Sequence, residues 1–308
     1  MKTAEPVWFK PLGSSDSRIP EIGLGTWGFH AGPEVLRAGL DAGALFIDTA
    51  ESYGTEVVVA EAIKSRRPEV FLASKVSPRH FRRADLLQAA DASLTRLRTD
   101  YLDLYQLHQP NQTIPIQETI GALEELVEVG KVRFIGVSNF SVAQLRRAQA
   151  ATRKHPIVSN QIRLNLADRT ALEEVLPWCQ ANRVTVIAYS PLARQFQRIH
   201  DCDPKHTLAA LARETGRTAA QIALNWCLCL DGVVAIPKSN DAARVIENCG
   251  ASGWRLSAGQ VRRLNETILF RRRGALDRLL RRCLGTGPLG ALKGIVRFLP
   301  KSIRGRIS

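Results

Sequence analysis

The chain lacks the features that mark membrane-spanning, secreted or metal-binding proteins. No apolar run reaches the roughly 18 residues that a transmembrane helix needs. The N-terminal segment has no apolar core and no small-residue cleavage site, so we expect no secretory signal. The six cysteines are scattered, and the pair Cys227 and Cys229 has a poor spacing for a metal. We therefore expect no metal site, reduced structural thiols and a cytoplasmic location.

Acidic residues are nearly absent from the last part of the chain. Residues 271–308 carry nine Arg and two Lys against a single acid, Asp277. The preceding 270 residues are close to balance, with 32 basic and 28 acidic side chains. The net charge of +14 is therefore mainly a property of the tail.

Two apolar stripes at helical spacing run through this tail, over 276–284 and 292–299, on either side of a glycine-rich break. A basic amphipathic pair of helices suits an anionic membrane surface, which would make the protein peripheral to a membrane. Alternatively, the stripes pack on the rest of the protein and the arginines face water. Interleaved aromatic residues are missing, so we do not expect nucleic acid as a partner.

Short apolar runs alternate with longer amphipathic stretches from residue 22 onward. The runs predict strands over 22–27, 45–50, 70–76, 102–108, 132–139, 156–162, 185–191 and 233–239. The stretches predict helices over 33–39, 56–64, 85–97, 116–129, 142–151, 170–181, 219–230 and 241–248. Eight such units in a chain of this length predict an α/β fold of the closed (β/α)8 TIM barrel type.

Local signals refine this barrel. Residues 9–20 predict a short hairpin that closes its bottom, and Ser141 is an N-cap candidate for the fifth helix. Gly43 and Gly130 follow helices as C′ glycines. Residues 191–206 have no clear period and predict a loop over the barrel mouth. We therefore expect two domains, a barrel over 1–268 and a basic tail over 269–308.

Four polar residues stand at or just after the ends of apolar runs: Asp48, Tyr53, Lys75 and His108. Because the carboxyl ends of barrel strands share one mouth, these side chains are expected to meet. Taken singly, each has an ordinary explanation, such as packing, a solvated charge or a helix cap. Their coincidence at three successive strand ends indicates an active site.

A wider set of motifs carries a family resemblance. Besides Asp48-Thr49-Ala50-x-x-Tyr53, Lys75 and His108-x-Pro110, the set comprises GVSNF (136–140), SNQ (159–161), YSPL (189–192) and IPKS (236–239). In this order the chain resembles the aldo-keto reductases, over roughly residues 19–267. The resemblance implies reduction of a small aldehyde or ketone by hydride transfer from NADPH, with Tyr53, Lys75, Asp48 and His108 as the catalytic residues.

The chemistry of these side chains agrees with that activity. A carbonyl oxygen must be protonated or stabilised as charge develops on it, and Tyr53 is the candidate acid. A lysine cation at ~4 Å in an effective dielectric of ~20 favours the phenolate by about 4 kcal/mol, enough to lower the pKa by up to about 3. We therefore expect a depressed Tyr53 pKa, although Asp48 opposes the effect. Asp48 keeps Lys75 charged, and a neutral His108 orients the carbonyl or serves as the alternative proton donor.

The cofactor contacts are mostly implied by the resemblance. No Gly-x-Gly-x-x-Gly motif stands between a predicted strand and its helix, so a Rossmann phosphate loop is not expected. Lys238 and Arg244 flank a strand-to-helix turn, where helix amides also favour phosphate, which favours NADPH over NADH. The resemblance assigns Lys238, Ser239, Asn240 and Arg244 to the 2′-phosphate, Glu247 and Asn248 to the adenine, Ser159, Asn160 and Gln161 to the nicotinamide amide, Tyr189 to the nicotinamide face, and Ser138, Asn139, Ser190 and Leu192 to further contacts.

The substrate side is less defined by the sequence. Trp27 is expected to form a pocket wall, with barrel-end packing as its alternative. Residues 162–165 differ from the family's usual sequence, so a relative's substrate preference does not transfer. An alternative function is an NADPH-binding regulatory or redox-sensing subunit with little turnover, docked through its tail.

Overall fold

A closed ring of parallel strands forms the centre of the molecule. The computed structural model describes residues 7–270, and in that range the chain has ten strands and eleven α-helices. The ring strands are β3 (Leu24–Gly25), β4 (Phe46–Asp48), β5 (Phe71–Val76), β6 (Leu102–Leu107), β7 (Val132–Ser138), β8 (Ile157–Arg163), β9 (Thr185–Tyr189) and β10 (Val233–Ile236). They pair in chain order, and every pair is parallel.

The first and last strands meet and close the ring. Ile22 forms a parallel bridge with Ala235, and the Gly25 amide donates to the Pro237 carbonyl at 3.0 Å. A Cβ on Gly25 would stand 2.8 Å from the Ile236 carbonyl oxygen, so glycine is needed where these strands approach. The predicted (β/α)8 barrel is confirmed.

A hairpin closes the end of the barrel where the strands begin. It pairs β1 (Phe9–Pro11) with β2 (Arg18–Pro20), as the sequence predicts. Leu12 and Ile19 are fully buried and share an apolar cluster with Phe46, Leu104 and Ile187 from the barrel interior. The opposite end, where the strands finish, is left open as a mouth.

Helices surround the ring. They are α1 (Pro33–Asp41), α2 (Glu56–Ile63), α3 (Arg83–Leu97), α4 (Ile116–Glu128), α5 (Val142–Ala151), α6 (Val175–Ala181), α7 (Gln197–His200), α8 (Thr207–Thr215), α9 (Ala219–Leu228), α10 (Ala242–Cys249) and α11 (Ala258–Thr267). Ser141 caps α5 in a reciprocal capping box with Gln144, and Gly130 follows α4 with φ +77°. These predicted caps are confirmed.

Four segments differ from the sequence prediction. The predicted helix over 170–181 is interrupted: a 3₁₀ turn spans Thr170–Leu172 and α6 begins at Val175. Pro177 has no N–H to bond the carbonyl of residue 173, which prevents a continuous helix. The predicted loop over 191–206 contains the single turn α7, and helices α8 and α11 are additional to the prediction.

The predicted tail over 271–308 lies outside the described residues. The domain boundary after residue 268 and the membrane-surface contact therefore stay predictions. Among residues 7–270, none of the helices combines the length and the apolar character needed to cross a bilayer.

Candidate active site

The four side chains singled out from the sequence meet at the barrel mouth. Asp48 is the last residue of β4, Lys75 lies near the end of β5, and His108 directly follows β6. Tyr53 ends a 3₁₀ turn after β4, and Gly54 at φ +71° turns the chain onward to α2. Parallel pairing brings these strand ends to one edge, so the expected convergence is observed.

Lys75 is the centre of this cluster and is fully buried. Its Nζ donates to Asp48 Oδ2 at 2.7 Å and to the Thr49 carbonyl at 2.8 Å. The ammonium stands 4.8 Å from the centre of the Tyr53 ring. Tyr53 Oη lies 3.4 Å from Nε2 of His108. The ion pair of Lys75 and Asp48 therefore lies beside the Tyr53 phenol, and the phenol lies beside the His108 imidazole.

Two glutamines hold the Asp48 carboxylate in place. Gln161 Nε2 donates to Asp48 Oδ1 at 2.7 Å, and Gln106 Nε2 approaches the same oxygen at 3.4 Å. Gln106 pairs in register with Lys75 on the neighbouring strand. Sequence reasoning missed Gln106, although a polar residue inside a buried apolar run was a usable signal.

The protonation of Lys75 follows from its partners. Burial works against the ammonium, but the charge of Asp48 and the Tyr53 hydroxyl favour it more strongly in total. The pKa of Lys75 is therefore raised above its ordinary value. Lys75 stays a cation, as predicted.

The protonation of Tyr53 corrects the sequence-based expectation. Burial raises the pKa of the Tyr53 phenol, Lys75 lowers it, and Asp48 raises it again, so that the net pKa lies above the ordinary value. The sign of the Lys75 effect was predicted correctly. The desolvation of the phenol outweighs it, and Tyr53 holds its proton at neutral pH.

His108 is neutral in this environment. Burial, together with the nearby Lys75 cation, lowers the pKa of His108 to about 3. Ser52 Oγ lies 3.4 Å from Nδ1, the ring nitrogen on the other side from Tyr53. A neutral ring carries one N–H, so His108 can donate a hydrogen bond but does not supply the proton of an imidazolium.

A cavity of about 300 Å³ opens directly above these groups. Its walls include Asp48, Tyr53 and His108, three of the four side chains predicted to be catalytic. The remaining predicted site residues on its walls are Trp27, Ser138, Asn139, Gln161, Tyr189, Ser190, Leu192 and Lys238. The Trp27 side chain is 54% exposed, so it faces the opening rather than packing inside the barrel.

Ser159 and Asn160, expected beside the nicotinamide amide, do not line this cavity. Side chains alternate along a strand, so Asn160 points away from the barrel, where it bonds the backbone N–H and C=O of Phe140. Ser159 shares a face with Gln161 but lies one layer deeper, and its buried Oγ has no partner among the described residues. Ser138, Asn139 and Gln161 line the cavity and offer a hydroxyl and two amides there.

The predicted phosphate residues surround the start of α10. Asp241 caps this helix by accepting from the Arg244 amide at 3.0 Å. Lys238 and Arg244 are exposed on either side of the cap. Ser239 Oγ accepts a hydrogen bond from the Asp241 amide. The side chain of Asn240 accepts a hydrogen bond from the His30 amide. Glu247 and Asn248 follow on the same helix, with Asn248 buried. The structure thus brings the predicted set together at one helix terminus.

Two further features bear on the chemistry available. Arg194 also lines the cavity, and sequence reasoning missed it because it lies in an irregular loop. Burial raises the pKa of Cys179, Cys227 and Cys249 to about 12, so these thiols are unreactive. Within residues 7–270, no group of His, Cys, Asp and Glu side chains is arranged to hold a metal ion.

Comparison with known proteins agrees with this geometry. The profile of the Aldo/keto reductase family matches residues 21–268. Methylglyoxal reductase YeaE of Escherichia coli is 36% identical over 265 residues, covering 82% of this chain and 92% of that protein.

Solved structures give the same result. An aldo-keto reductase from Klebsiella pneumoniae in complex with NADPH superposes with a TM-score of 0.79 at 37% identity, covering 88% of this chain and 98% of its own. The thermostable aldo-keto reductase Tm1743 gives 0.78 at 39% identity, with 84% and 99% covered. The chain therefore belongs to the aldo/keto reductase family, as an oxidoreductase that acts on carbonyl compounds with a nicotinamide cofactor.

Proposed function

We propose that the protein reduces a small aldehyde or ketone to its alcohol with NADPH, and that Tyr53 donates the proton. One observation carries the proposal: the neutral Tyr53 phenol stands between a buried lysine cation and a neutral imidazole, on the wall of a cavity open to solvent. One substrate oxygen can therefore contact Tyr53 as proton donor and His108 as orienting group. The Lys75 cation stabilises the Tyr53 phenolate after the transfer.

The residues at the cavity suit NADPH. Ser138, Asn139 and Gln161 offer a hydroxyl and two amides to a carboxamide, and the Tyr189 ring offers a flat face for stacking. The Tyr189 hydroxyl donates to Asn139 Oδ1 at 2.9 Å, which fixes the ring and the amide relative to each other. When bound, NADPH supplies a hydride to the carbonyl carbon and leaves as NADP⁺.

The protein's own contribution is the proton. As negative charge develops on the carbonyl oxygen, Tyr53 transfers its hydroxyl proton to that oxygen and becomes a phenolate. An alkoxide is a far stronger base than a phenolate, so the raised Tyr53 pKa does not prevent the transfer. The Lys75 cation then stabilises the phenolate until a solvent proton replaces the one lost.

His108 orients the substrate. If Ser52 donates to Nδ1, the single proton of the neutral ring resides on Nε2, on the side of Tyr53. An N–H at that position can donate to the same carbonyl oxygen that Tyr53 protonates. The side-chain amide of Asn139 donates to the His108 carbonyl at 3.2 Å and so connects the segments that follow β7 and β6.

Small carbonyl compounds are the first substrates to test. One relative is named for methylglyoxal reduction, and the cavity of about 300 Å³ is at the small end of ligand pockets. Consumption of NADPH should accelerate when methylglyoxal or another small aldehyde is added to the full chain. If the protein binds NADPH and no carbonyl compound accelerates its oxidation, the proposed function is wrong.

Preference for NADPH over NADH rests on Lys238 and Arg244. Among the described residues neither side chain has a carboxylate partner, and both lie beside the first turn of α10, where an added phosphate would find two cations and free amides. Lys238→Ala or Arg244→Ala should weaken NADPH binding about 10-fold or more and leave NADH binding nearly unchanged. Equal losses for both cofactors would contradict the phosphate assignment.

The alternative of a regulatory NADPH-binding subunit is not favoured, because Lys75 contacts Asp48 and Tyr53 contacts His108 at the barrel mouth, as a proton-transfer site requires. Association of residues 271–308 with anionic membranes, and with it a peripheral rather than purely cytoplasmic location, is a separate proposal that rests on the positive charge and the two apolar stripes of that segment. Sedimentation of the full chain with anionic vesicles at low salt should reveal it, and neutral vesicles are the control.

A further inference from the structure

Tyr53 differs from the other three side chains of the mouth cluster in how its backbone is held. Asp48 and Lys75 lie within strands. The amide of His108 donates to the carbonyl of Val76 at 3.0 Å, which fixes it against the end of β5. Tyr53 instead lies five positions beyond the end of β4, in a 3₁₀ turn of three residues. Such turns have poorer hydrogen-bond geometry than α-helices, so the position of the Tyr53 hydroxyl depends on contacts outside the turn.

Three threonines hold the base of the loop that carries this turn. Thr55 Oγ1 lies 2.9 Å from Thr49 Oγ1 and 2.9 Å from Thr26 Oγ1, and all three residues are buried. These contacts fix the points where the loop leaves β4 and where it enters α2. The tip of the loop, which carries Tyr53, is held by a different contact.

Glu51 supplies that contact. Its side chain is 7% exposed, and its Oε1 accepts from the backbone amide of Ser77 at 2.6 Å and lies 3.0 Å from Nδ1 of His80. Ser77 is the first residue after β5 and lies two positions beyond Lys75. A hydrogen bond to a carboxylate is about twice as strong as one between neutral groups. Glu51 therefore ties the turn that carries Tyr53 to the strand that carries Lys75.

The connection continues to the segment that carries His108. A second 3₁₀ turn spans Pro78–His80, and its Pro78 carbonyl accepts from the side-chain amide of Asn111 at 2.9 Å. Asn111 lies three positions after His108. The loops that follow β4, β5 and β6 are thus joined in series, and the 3.4 Å between Tyr53 Oη and His108 Nε2 is spanned by this series.

We propose that Glu51 is a positioning residue for proton transfer, which holds the turn of Tyr53 at the place where its hydroxyl meets the substrate oxygen. Asn111 has the corresponding task on the side of His108. This inference rests on the proposed reductase function, because Tyr53 is taken as the proton donor. Glu51 is not among the residues that line the cavity, so it acts through Tyr53 and not on the substrate.

The test compares Glu51→Ala and Glu51→Gln in the full chain, with methylglyoxal and NADPH. Glu51→Ala should lower kcat by about 10- to 100-fold, since displacement of a reacting group by about 1 Å can cost that much. The KM for the aldehyde and the affinity for NADPH should change by no more than about 2-fold. Glu51→Gln keeps an oxygen that accepts from the Ser77 amide, so its kcat should stay within about 5-fold of wild type.

The ratio of kcat in H₂O to kcat in D₂O separates positioning from stability. It should be larger in Glu51→Ala than in the wild type, because proton transfer from Tyr53 slows relative to the steps that move no proton. Asn111→Ala should change kcat in the same direction by a smaller factor, because His108 is also held by the Val76 carbonyl.

The matched control is Glu124→Ala, at the closed end of the barrel. Glu124 is buried, and its Oε1 accepts from three backbone amides just before β8, those of Arg153, Lys154 and His155, at 2.7 to 3.0 Å. Both alanine variants lose a carboxylate that bonds backbone amides, so both should lower the urea midpoint of unfolding. Only Glu51→Ala should lower kcat and raise the isotope ratio.

Two results would overturn the positioning role. One is a normal kcat in Glu51→Ala or an equal loss in Glu51→Gln, and the other is the same loss of kcat in Glu124→Ala. If Glu51→Ala does not fold, Glu51→Asp replaces it, because its carboxylate is one methylene short of Ser77 and should lower kcat and raise the isotope ratio in the same way. A wild type that binds NADPH but reduces no carbonyl compound would refute the proposed function instead.

Discussion

A lysine lies at each end of the barrel, fully buried at the mouth and partly buried at the closed end, and the pKa values of the two are shifted in opposite directions. At the mouth, the pKa of Lys75 is raised, although burial alone would lower it. At the closed end, burial lowers the pKa of Lys10 to about 8, and the attraction of Glu21 does not compensate. The same side chain in the same fold is therefore tuned in two directions.

The difference lies in the partners. Lys75 has a carboxylate of its own, with Asp48 Oδ2 at 2.7 Å. Lys10 donates to three neutral carbonyls, of Leu228, Leu230 and Val233, at 2.6 to 3.1 Å. Carbonyl dipoles satisfy the hydrogen bonds of an ammonium but stabilise its charge less than a full negative charge does. At the mouth the cation lies beside the Tyr53 ring, and at the closed end the cation joins the hairpin to the end of α9 and the start of β10.

The two ends also differ in how completely their polar groups are satisfied. Buried polar atoms without partners among the described residues include Ser159 Oγ, Gln106 Oε1 and Arg163 Nε, on strands that lead to the mouth. At the closed end, Glu21 is bonded by Ser252 at 2.6 Å and by Arg255. None of these three residues lines the cavity, so the unsatisfied atoms lie in the barrel wall around it. The satisfied groups at the closed end agree with a structural role.

The largest effect is expected from Tyr53→Phe at the mouth. Loss of the phenolic proton should lower kcat for carbonyl reduction by about 10² to 10⁴-fold. The ring remains, so the unfolding midpoint and the affinity for NADPH should hardly change. A variant with normal kcat would remove Tyr53 from the mechanism, and steady-state kinetics with a saturating aldehyde decide the question.

The next effect tests the ion pair itself. Lys75→Met leaves the Asp48 carboxylate buried without its cation and should lower the free energy of unfolding by about 3–5 kcal/mol, together with loss of activity. The double variant Lys75→Met/Asp48→Asn should recover most of the stability and none of the activity. Denaturant unfolding and kcat on the same samples separate these roles. Recovery of activity in the double variant would contradict the assignment of the Lys75 charge to catalysis.

Lys10 at the closed end should change the pH dependence of the free energy of unfolding without changing kcat. The pKa of Lys10 is about 8 in the folded protein and 10.5 in the unfolded chain. Between these values the unfolded state binds more protons, so wild-type stability should rise with pH relative to Lys10→Met, by up to about 3 kcal/mol. The difference should be constant below the folded pKa. A flat difference across the whole window would show that Lys10 is not desolvated.

The smallest expected effect concerns the ion pair between Glu21 and Arg255 at the closed end. Glu21→Gln removes the charge that Arg255 and Ser252 contact and should lower the free energy of unfolding by about 2 kcal/mol, with kcat unchanged. Glu125→Gln is the matched control, since its pair with Arg83 is exposed and should contribute less than about 1 kcal/mol. A change in kcat for Glu21→Gln would mean that the two ends are coupled.

The fold and the cluster of Asp48, Tyr53, Lys75 and His108 were predictable because both follow from short-range sequence patterns. Apolar runs followed by Asp48, Lys75 and His108 indicate strand ends, and parallel strand ends must meet. The Tyr53 pKa was predicted in the wrong direction because the loss of solvent around a side chain is a tertiary property. Ser159 and Asn160 were placed by motif rather than by strand alternation, which assigns them to opposite faces. Arg194 could not be found because a left-handed loop leaves no periodic signal.

The most direct test of the central claim is the protonation of Tyr53 in the folded protein. The ultraviolet absorbance of wild type minus Tyr53→Phe, followed across a pH titration, reports the phenolate of that one residue. We expect the signal to stay absent at neutral pH and to rise only above the ordinary tyrosine pKa of about 10, with Lys75 still charged at the onset. A phenolate already present at neutral pH would contradict Tyr53 as the donor of the proton to the carbonyl oxygen.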